Sequence, residues 1–184
     1  SALAVIGVCT TVITFLFLPI VGLSMGIQPI IGYNWGAKNF KRVRRAFSRA
    51  LGAATAICVT GFAVAELFPD IIFEIFLGED SHLLSTGEAA LRLMVAGMPF
   101  IGVNIVTSGY FQSIKRPSVS IFVTILRQIL FLVPAMFLLP RVFGLGGLWA
   151  SFPISDFSAF VATLFFVRAE MSALRSKILL ENRL

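Results

Sequence analysis

The first 37 residues, Ser1 to Ala37, contain no charged side chain. A helix rising 1.5 Å per residue needs about 20 apolar residues to cross a hydrocarbon layer of about 30 Å. An uncharged stretch nearly twice that length has no place in a water-soluble domain, so the bilayer is the expected solvent. The rest of the chain agrees. Of its 184 residues, 58% are hydrophobic and 13% charged, and the mean hydropathy is +0.94. Ordinary soluble domains carry about a quarter charged residues. This composition excludes a disordered segment, a nucleic-acid-binding arm and a soluble enzyme.

The net charge is +6, and its placement matters more than its size: six of the 15 basic residues fall between Lys38 and Arg49, and four lie at or beyond Arg168. Basic clusters flanking apolar runs mark cytoplasmic loops and contact with anionic lipid heads, not nucleic acid. The stretch from Glu66 to Glu88 holds six acids, His82 and no Lys or Arg, which suits the outer side. Five spans are expected, over about 3–30, 50–68, 91–114, 117–140 and 147–167. The first should kink near Pro19 and give way to an irregular interfacial segment over 30–36, where Tyr33 and Trp35 are favoured. The turns at 38–45 and 115–116 then fall inside and the turn at 141–147 outside, with Arg141 the exception to the charge rule. Residues 168–184 read as a cytoplasmic tail, in which Met171, Leu174 and Ile178 recur at helical spacing and would lie flat at the interface.

No stretch alternates as a barrel strand would. The expected fold is an all-α integral membrane protein of about five transmembrane helices, in a cell membrane, with its C-terminus in the cytoplasm. Five spans ending inside place the start outside. The chain opens Ser1-Ala2-Leu3, without a basic signal-peptide region, and is expected to be a piece of a longer chain with at least one further span upstream.

A charged group near the bilayer centre costs about 2.5–3.5 kcal/mol on insertion scales, so it usually has a partner or a water-filled cavity. Arg127 in the fourth span and Asp156 in the fifth are the two deep candidates. At 1.5 Å per residue each lies roughly 15 Å from the cytoplasmic end of its helix. Consecutive antiparallel helices make an Arg127–Asp156 pair geometrically possible. Such a pair either neutralises itself and fixes the hairpin, or faces a cavity and senses protons or substrate. Neutral polar residues cluster as well: Gln28 and Asn34 near the inner end of the first helix, Gln128 beside Arg127, and Asn104, Ser108 and Gln112 at i, i+4, i+8 along the third. That stripe, with Thr107 beside it, serves either as interhelical glue or as the wall of a cavity. Gly97 and Gly102, and the pair Gly22 and Gly26 at small-xxx-small spacing, would allow close helix approach.

Other chemistries find little support. Cys9 and Cys58 each sit inside an apolar run and read as small packing residues. His82 has no second ligand at metal-binding spacing. There is no GxSxG elbow and no GxxxxGK loop. No enzyme, cofactor or metal site is expected, which leaves transport driven by something other than ATP.

The run Gly22-Leu-Ser-Met-Gly26-Ile-Gln28-Pro29-Ile-Ile-Gly32-Tyr33-Asn34-Trp35-Gly36-Ala37-Lys38-Asn39-Phe40-Lys41-Arg42-Val43 resembles the end of helix eight and the following loop in the multidrug and toxic compound extrusion (MATE) family, especially its MepA-like branch. Later segments agree in order: Gly97-Met-Pro99-Phe-Ile-Gly102, Tyr110-Phe-Gln112-Ser-Ile-Lys115-Arg-Pro117, Leu126-Arg127-Gln128 and Gly146-Gly-Leu-Trp149-Ala-Ser-Phe-Pro153-Ile-Ser-Asp156. The resemblance implies twelve helices in two six-helix lobes, with this chain matching helices eight to twelve of the C-terminal lobe. Its partners would be membrane lipid, the N-terminal lobe of the same polypeptide, and small cationic or amphipathic substrates exported in exchange for H⁺ or Na⁺.

In the family, the coupling acids lie on helix one, or on helices seven and ten. Here the helix-ten counterpart has no Asp or Glu between Leu93 and Ile114, so the coupling acid is expected outside this chain. The pathway candidates are Gln28, Asn34, Asn104, Ser108, Gln112, Arg127, Gln128 and Asp156. Two alternatives stand beside this reading. One is a lipid-linked oligosaccharide flippase of related fold, whose cavity should carry more basic residues than Arg127. The other is a non-transporting membrane scaffold held by its small-residue faces.

Overall fold

A computed structural model describes residues 2–77 and 81–181, all helical apart from short turns. Helix α1, Ala2–Gly36, is apolar on every side and runs unbroken through Pro19 and Pro29. Away from water a backbone keeps its internal hydrogen bonds, because nothing else can satisfy them. The segment 30–36, expected to be irregular, is therefore the last two turns of α1. The Asn34 side-chain amide donates to the Ile30 carbonyl at 2.8 Å within it. The helix closes through Lys38, which adopts φ +57°. The Lys38 and Asn39 N–H groups then reach back to the carbonyls of Trp35 and Asn34, satisfying the end of the helix in the Schellman manner.

Helix α2, Phe40–Leu67, starts at once. The Asn39 side chain caps it by accepting from the Arg42 N–H at 3.2 Å, which satisfies one of the free donors at the helix start. The basic cluster thus forms the first turns of α2 rather than a loop before a span beginning near residue 50. Helices α3 (Pro69–Leu77), α4 (Ser81–Val95) and α5 (Met98–Ser113) follow. The expected third span is α5 joined to the end of α4 by a 42° bend. Helix α5 ends as α1 does: Lys115 takes φ +59° and the Arg116 N–H bonds the Phe111 carbonyl at 2.9 Å.

Helix α6, Pro117–Ile125, passes into a π-helical turn over Leu126–Leu132. Pro134 carries no N–H for the carbonyl of Leu130, and just before it the Val133 N–H reaches five residues back to Gln128. The run Val133–Glu181, α7, is two helices folded against each other at Gly144 (φ 58°, ψ −140°), a conformation close to one reserved for glycine. A Cβ on Gly147 would collide with the Leu139 carbonyl, so the two arms touch immediately after the reversal.

The second arm continues past 167 without a break, as an apolar helix over Gly146–Glu181. Residues 168–181 are therefore not a separate flat tail. Leu174 is fully buried with Val43, Phe47, Tyr110 and Phe111, and Met171 packs on the same cluster.

Among the described residues, four helices are long and apolar enough to span a membrane, or five if the bent α4–α5 pair counts as one. Helix α5 is central and packs against α1, α2, α6 and α7. Its glycines set that position. A Cβ on Gly102 would lie 3.0 Å from the Ala54 carbonyl oxygen of α2, and one on Gly97 would lie 2.8 Å from Pro153 Cα of α7. At Gly22 and Gly26 an added Cβ meets nothing within 4 Å, so no close helix contact is made there among the described residues. Cys9 and Cys58 are free thiols buried in the two apolar cores. Phe15, Phe137, Phe143 and Phe165 point outward and are exposed.

Candidate functional site

The polar stripe of α5 faces α1 and α6. Between these helices lies a cavity of about 300 Å³, lined by Ser24 and Gln28 from α1, by Asn104, Ser108 and Gln112 from α5, and by Arg127 at the start of the π-helical turn. Gly109 lets α1 come this close, since a Cβ there would run into Ser24 Oγ and lie 3.3 Å from Gln28 Nε2. The Ser24 hydroxyl donates to the Ile105 carbonyl at 3.3 Å.

The stripe is both glue and wall. Ser108 and Ser120 share a hydrogen bond of 2.5 Å, and Gln112 Nε2 donates to Ser120 Oγ at 2.9 Å, tying α5 to α6. Asn104 is 5% exposed, yet neither its Oδ1 nor its Nδ2 has a partner among the described residues. Buried amides are normally bonded, because an unpaired polar group inside costs about 1–3 kcal/mol.

Arg127 and Asp156 meet as expected. Arg127 Nε donates to Asp156 Oδ1 at 2.6 Å, with the carboxylate buried and the guanidinium partly exposed. Behind them, a Cβ on Gly97 would lie 2.7 Å from Asp156 Oδ2, so the α4–α5 bend leaves room for the acid. Arg127 also borders a second cavity of about 420 Å³, lined by Thr10, Thr14, Met94, Phe152 and Asp156 among others. One arginine thus separates two chambers, and it sits in a π-helical segment, a feature common at functional sites.

Gln28, Asn104, Ser108, Gln112 and Arg127 share one cavity, and Asp156 joins them through Arg127. Two candidates stand apart. Gln128 is exposed and lines neither chamber. Asn34 lies in a crevice on another face of α1, beside Arg42, Arg45 and Arg49 of α2. The His82 side chain lies outside the described residues, and among those described no three His, Cys, Asp or Glu come together around a metal.

Sequence reasoning missed a polar link in the last helix. The buried Tyr110 hydroxyl donates to Glu170 Oε1 at 2.9 Å, and Arg116 lies 3.7 Å from the same carboxylate. The signal was present: Glu170 is the one acid between Asp156 and Glu181, and it falls within a basic region. Nearby, Lys177 sits 4.1 Å above the Trp35 ring, so the ends of α1, α5 and α7 gather with the start of α2 at one end of the bundle. Arg92 and Glu66 pair at 3.7 Å toward the ends of α4 and α2.

Among the described residues, helices long and apolar enough to span lipid pack around open cavities edged with polar side chains, the architecture of a polytopic membrane protein. Comparison with known proteins gives the family. The MatE family model matches residues 1–138, three quarters of the chain, and the chain belongs to the MatE family. Among solved structures, the MATE multidrug transporter DinF-BH is 33% identical, with a TM-score of 0.83 over 90% of this chain and 37% of that one. The outward-facing form of a multidrug resistance MATE family transporter of the MOP superfamily matches at 23% identity and a TM-score of 0.84, covering 94% of this chain and 39% of that one. An inward-facing MATE structure matches at 22% identity and a TM-score of 0.81, covering 91% and 39%. The chain therefore spans about two fifths of the length of these relatives. A search of the curated proteins returns no significant match.

Proposed function

We propose that this chain forms most of the C-terminal lobe of a cation-coupled multidrug antiporter, of the MepA-like branch, which exports cationic or amphipathic compounds in exchange for H⁺ or Na⁺. The observation that carries this reading is the chamber wall built by Asn104, Ser108 and Gln112 of α5 against Gln28 of α1 and Arg127. It offers amides and hydroxyls to a passing molecule, and its one charged group is already paired to Asp156. A wall of this kind binds loosely and broadly, through apolar contact with a few hydrogen bonds. It lacks the several cations that a diphosphate-linked lipid would require, which tells against the flippase reading.

The fold of the chain is similar to both outward-facing and inward-facing relatives, which supports a lobe that moves largely as a body in alternating access. The proton or sodium would be bound by an acid outside this chain. Polar and aromatic groups at one end of the bundle, with the basic turns of α2 and the end of α7 beside them, support a cytoplasmic C-terminus in a cell membrane.

The test is efflux by the complete polypeptide reconstituted in vesicles. A fluorescent organic cation should move against its gradient when a proton or sodium gradient is imposed, and Asn104→Leu should weaken that movement severalfold without loss of folded protein. Movement indifferent to both gradients would refute the antiport reading.

A further inference from the structure

We infer that the crevice between α1 and the start of α2 is a binding site for one anionic phospholipid, held by its phosphate. Arg42, Arg45 and Arg49 recur at i, i+3 and i+7, so they share one face of α2, and all three line an open crevice of about 530 Å³. From Arg42 to Arg49 the row extends about 10 Å along the helix at 1.5 Å per residue. Three guanidinium groups side by side repel one another unless an anion lies among them. Among the described residues, none of the three has a carboxylate within ion-pairing distance: the ion pairs present involve Arg92, Arg116 and Arg127. Guanidinium forks match phosphate oxygens two at a time, which makes arginine the natural reader of a phosphate group.

The opposite wall decides between a free phosphate and a lipid. It is formed by Leu23, Ile27 and Ile30 of α1, while α2 contributes a floor of Ala46, Ala50 and Ala53. Small residues on one helix and branched apolar residues on the other leave a slot for an acyl chain running toward the middle of the bilayer. The level along the membrane normal is also right. Trp35 and the highly exposed Tyr33 flank in sequence Asn34, which lines the crevice, and aromatic side chains of this kind favour the level of the lipid head groups. Basic pockets between helices at this level are a recurrent means of holding anionic lipid heads. A soluble anion would have no use for the apolar slot, and a zwitterionic lipid would bring a fourth cation to a rim that already carries three.

The experiment uses the complete purified polypeptide in detergent and measures thermal unfolding and lipid retention by native mass spectrometry, with phosphatidylglycerol, phosphatidylcholine and glycerol phosphate as separate probes. Phosphatidylglycerol should be retained at least fivefold better than phosphatidylcholine and should raise the unfolding temperature. The triple variant R42Q/R45Q/R49Q should lose that preference. The triple variant K38Q/R44Q/R175Q removes the same charge elsewhere at this end of the bundle and should keep it.

Should the first triple variant fold poorly, Ala53→Phe, which fills the slot and leaves every arginine in place, should also lower retention. Three results would overturn the proposal: equal loss in the two triple variants, stabilisation by glycerol phosphate equal to that by the lipid, or undiminished retention in Ala53→Phe.

Discussion

Replacing Arg127 by Met should destabilise the protein more than replacing Asp156 by Asn, although both changes abolish the same ion pair, whose hydrogen bond is 2.6 Å long. The asymmetry follows from burial. The Asp156 side chain is 4% exposed, whereas that of Arg127 is 30% exposed and borders two chambers. Arg127→Met strands a carboxylate that is 4% exposed and packed against Gly97, with only the edge of the second cavity beside it. Stranding one member of a buried pair typically costs about 3–5 kcal/mol. Asp156→Asn leaves an amide oxygen that still accepts from Arg127, and the arginine retains access to its chambers. Its cost should be about 1–2 kcal/mol, that of weakening one charged hydrogen bond.

The difference of about 2 kcal/mol corresponds to a roughly thirtyfold change in the folding equilibrium. The double variant R127M/D156L should recover most of the loss, because removing both charges leaves nothing unpaired. Unfolding of the complete polypeptide in detergent, followed by tryptophan fluorescence, would measure all three. The reasoning fails if Arg127→Met costs no more than Asp156→Asn, or if the double variant is no more stable than Arg127→Met alone.

Further outcomes follow from the packing. Leu174→Ala should cost about 2–5 kcal/mol, as core truncations do, whereas Leu179→Ala and Leu180→Ala, both on exposed positions, should change thermal unfolding little; equal effects would mean that the last turns are not docked. Gly97→Ala should destabilise by about 1–3 kcal/mol through overpacking, since its new methyl meets Pro153 Cα at 2.8 Å, while Gly22→Ala should be tolerated. Tyr110→Phe should cost about 1–3 kcal/mol, because buried Glu170 loses its hydroxyl donor, and Glu170→Leu in the same background should restore part of it. Lys38→Gly and Lys115→Gly should each stabilise by up to about 1 kcal/mol, because both positions hold left-handed backbone that only glycine adopts freely.

Much of this protein was legible along the chain because lipid imposes a strong rule. Every backbone polar group must be satisfied within its own helix, so the apolar runs could only be helices, and charged turns could only lie at their ends. The same rule singled out Arg127 and Asp156, since ionic groups at depth need partners and these two share a depth. It was less informative about where helices stop. Residues 30–36 and 168–181 carry polar and basic groups that read as interface, yet a Schellman closure at Lys38 and the burial of Leu174 keep both segments helical.

What only the tertiary structure decided was which polar faces look at one another. Helical spacing places Asn104, Ser108 and Gln112 on one side of α5, but the i, i+4 pattern does not say which helix stands opposite. Glycines do. Gly97, Gly102 and Gly109 admit α7, α2 and α1 to contact, while at Gly22 and Gly26, the pair with small-xxx-small spacing, an added Cβ would meet nothing among the described residues. Spacing along a helix is a local property set by 3.6 residues per turn. Contact between helices is a property of the whole bundle, set by how its surfaces fill space.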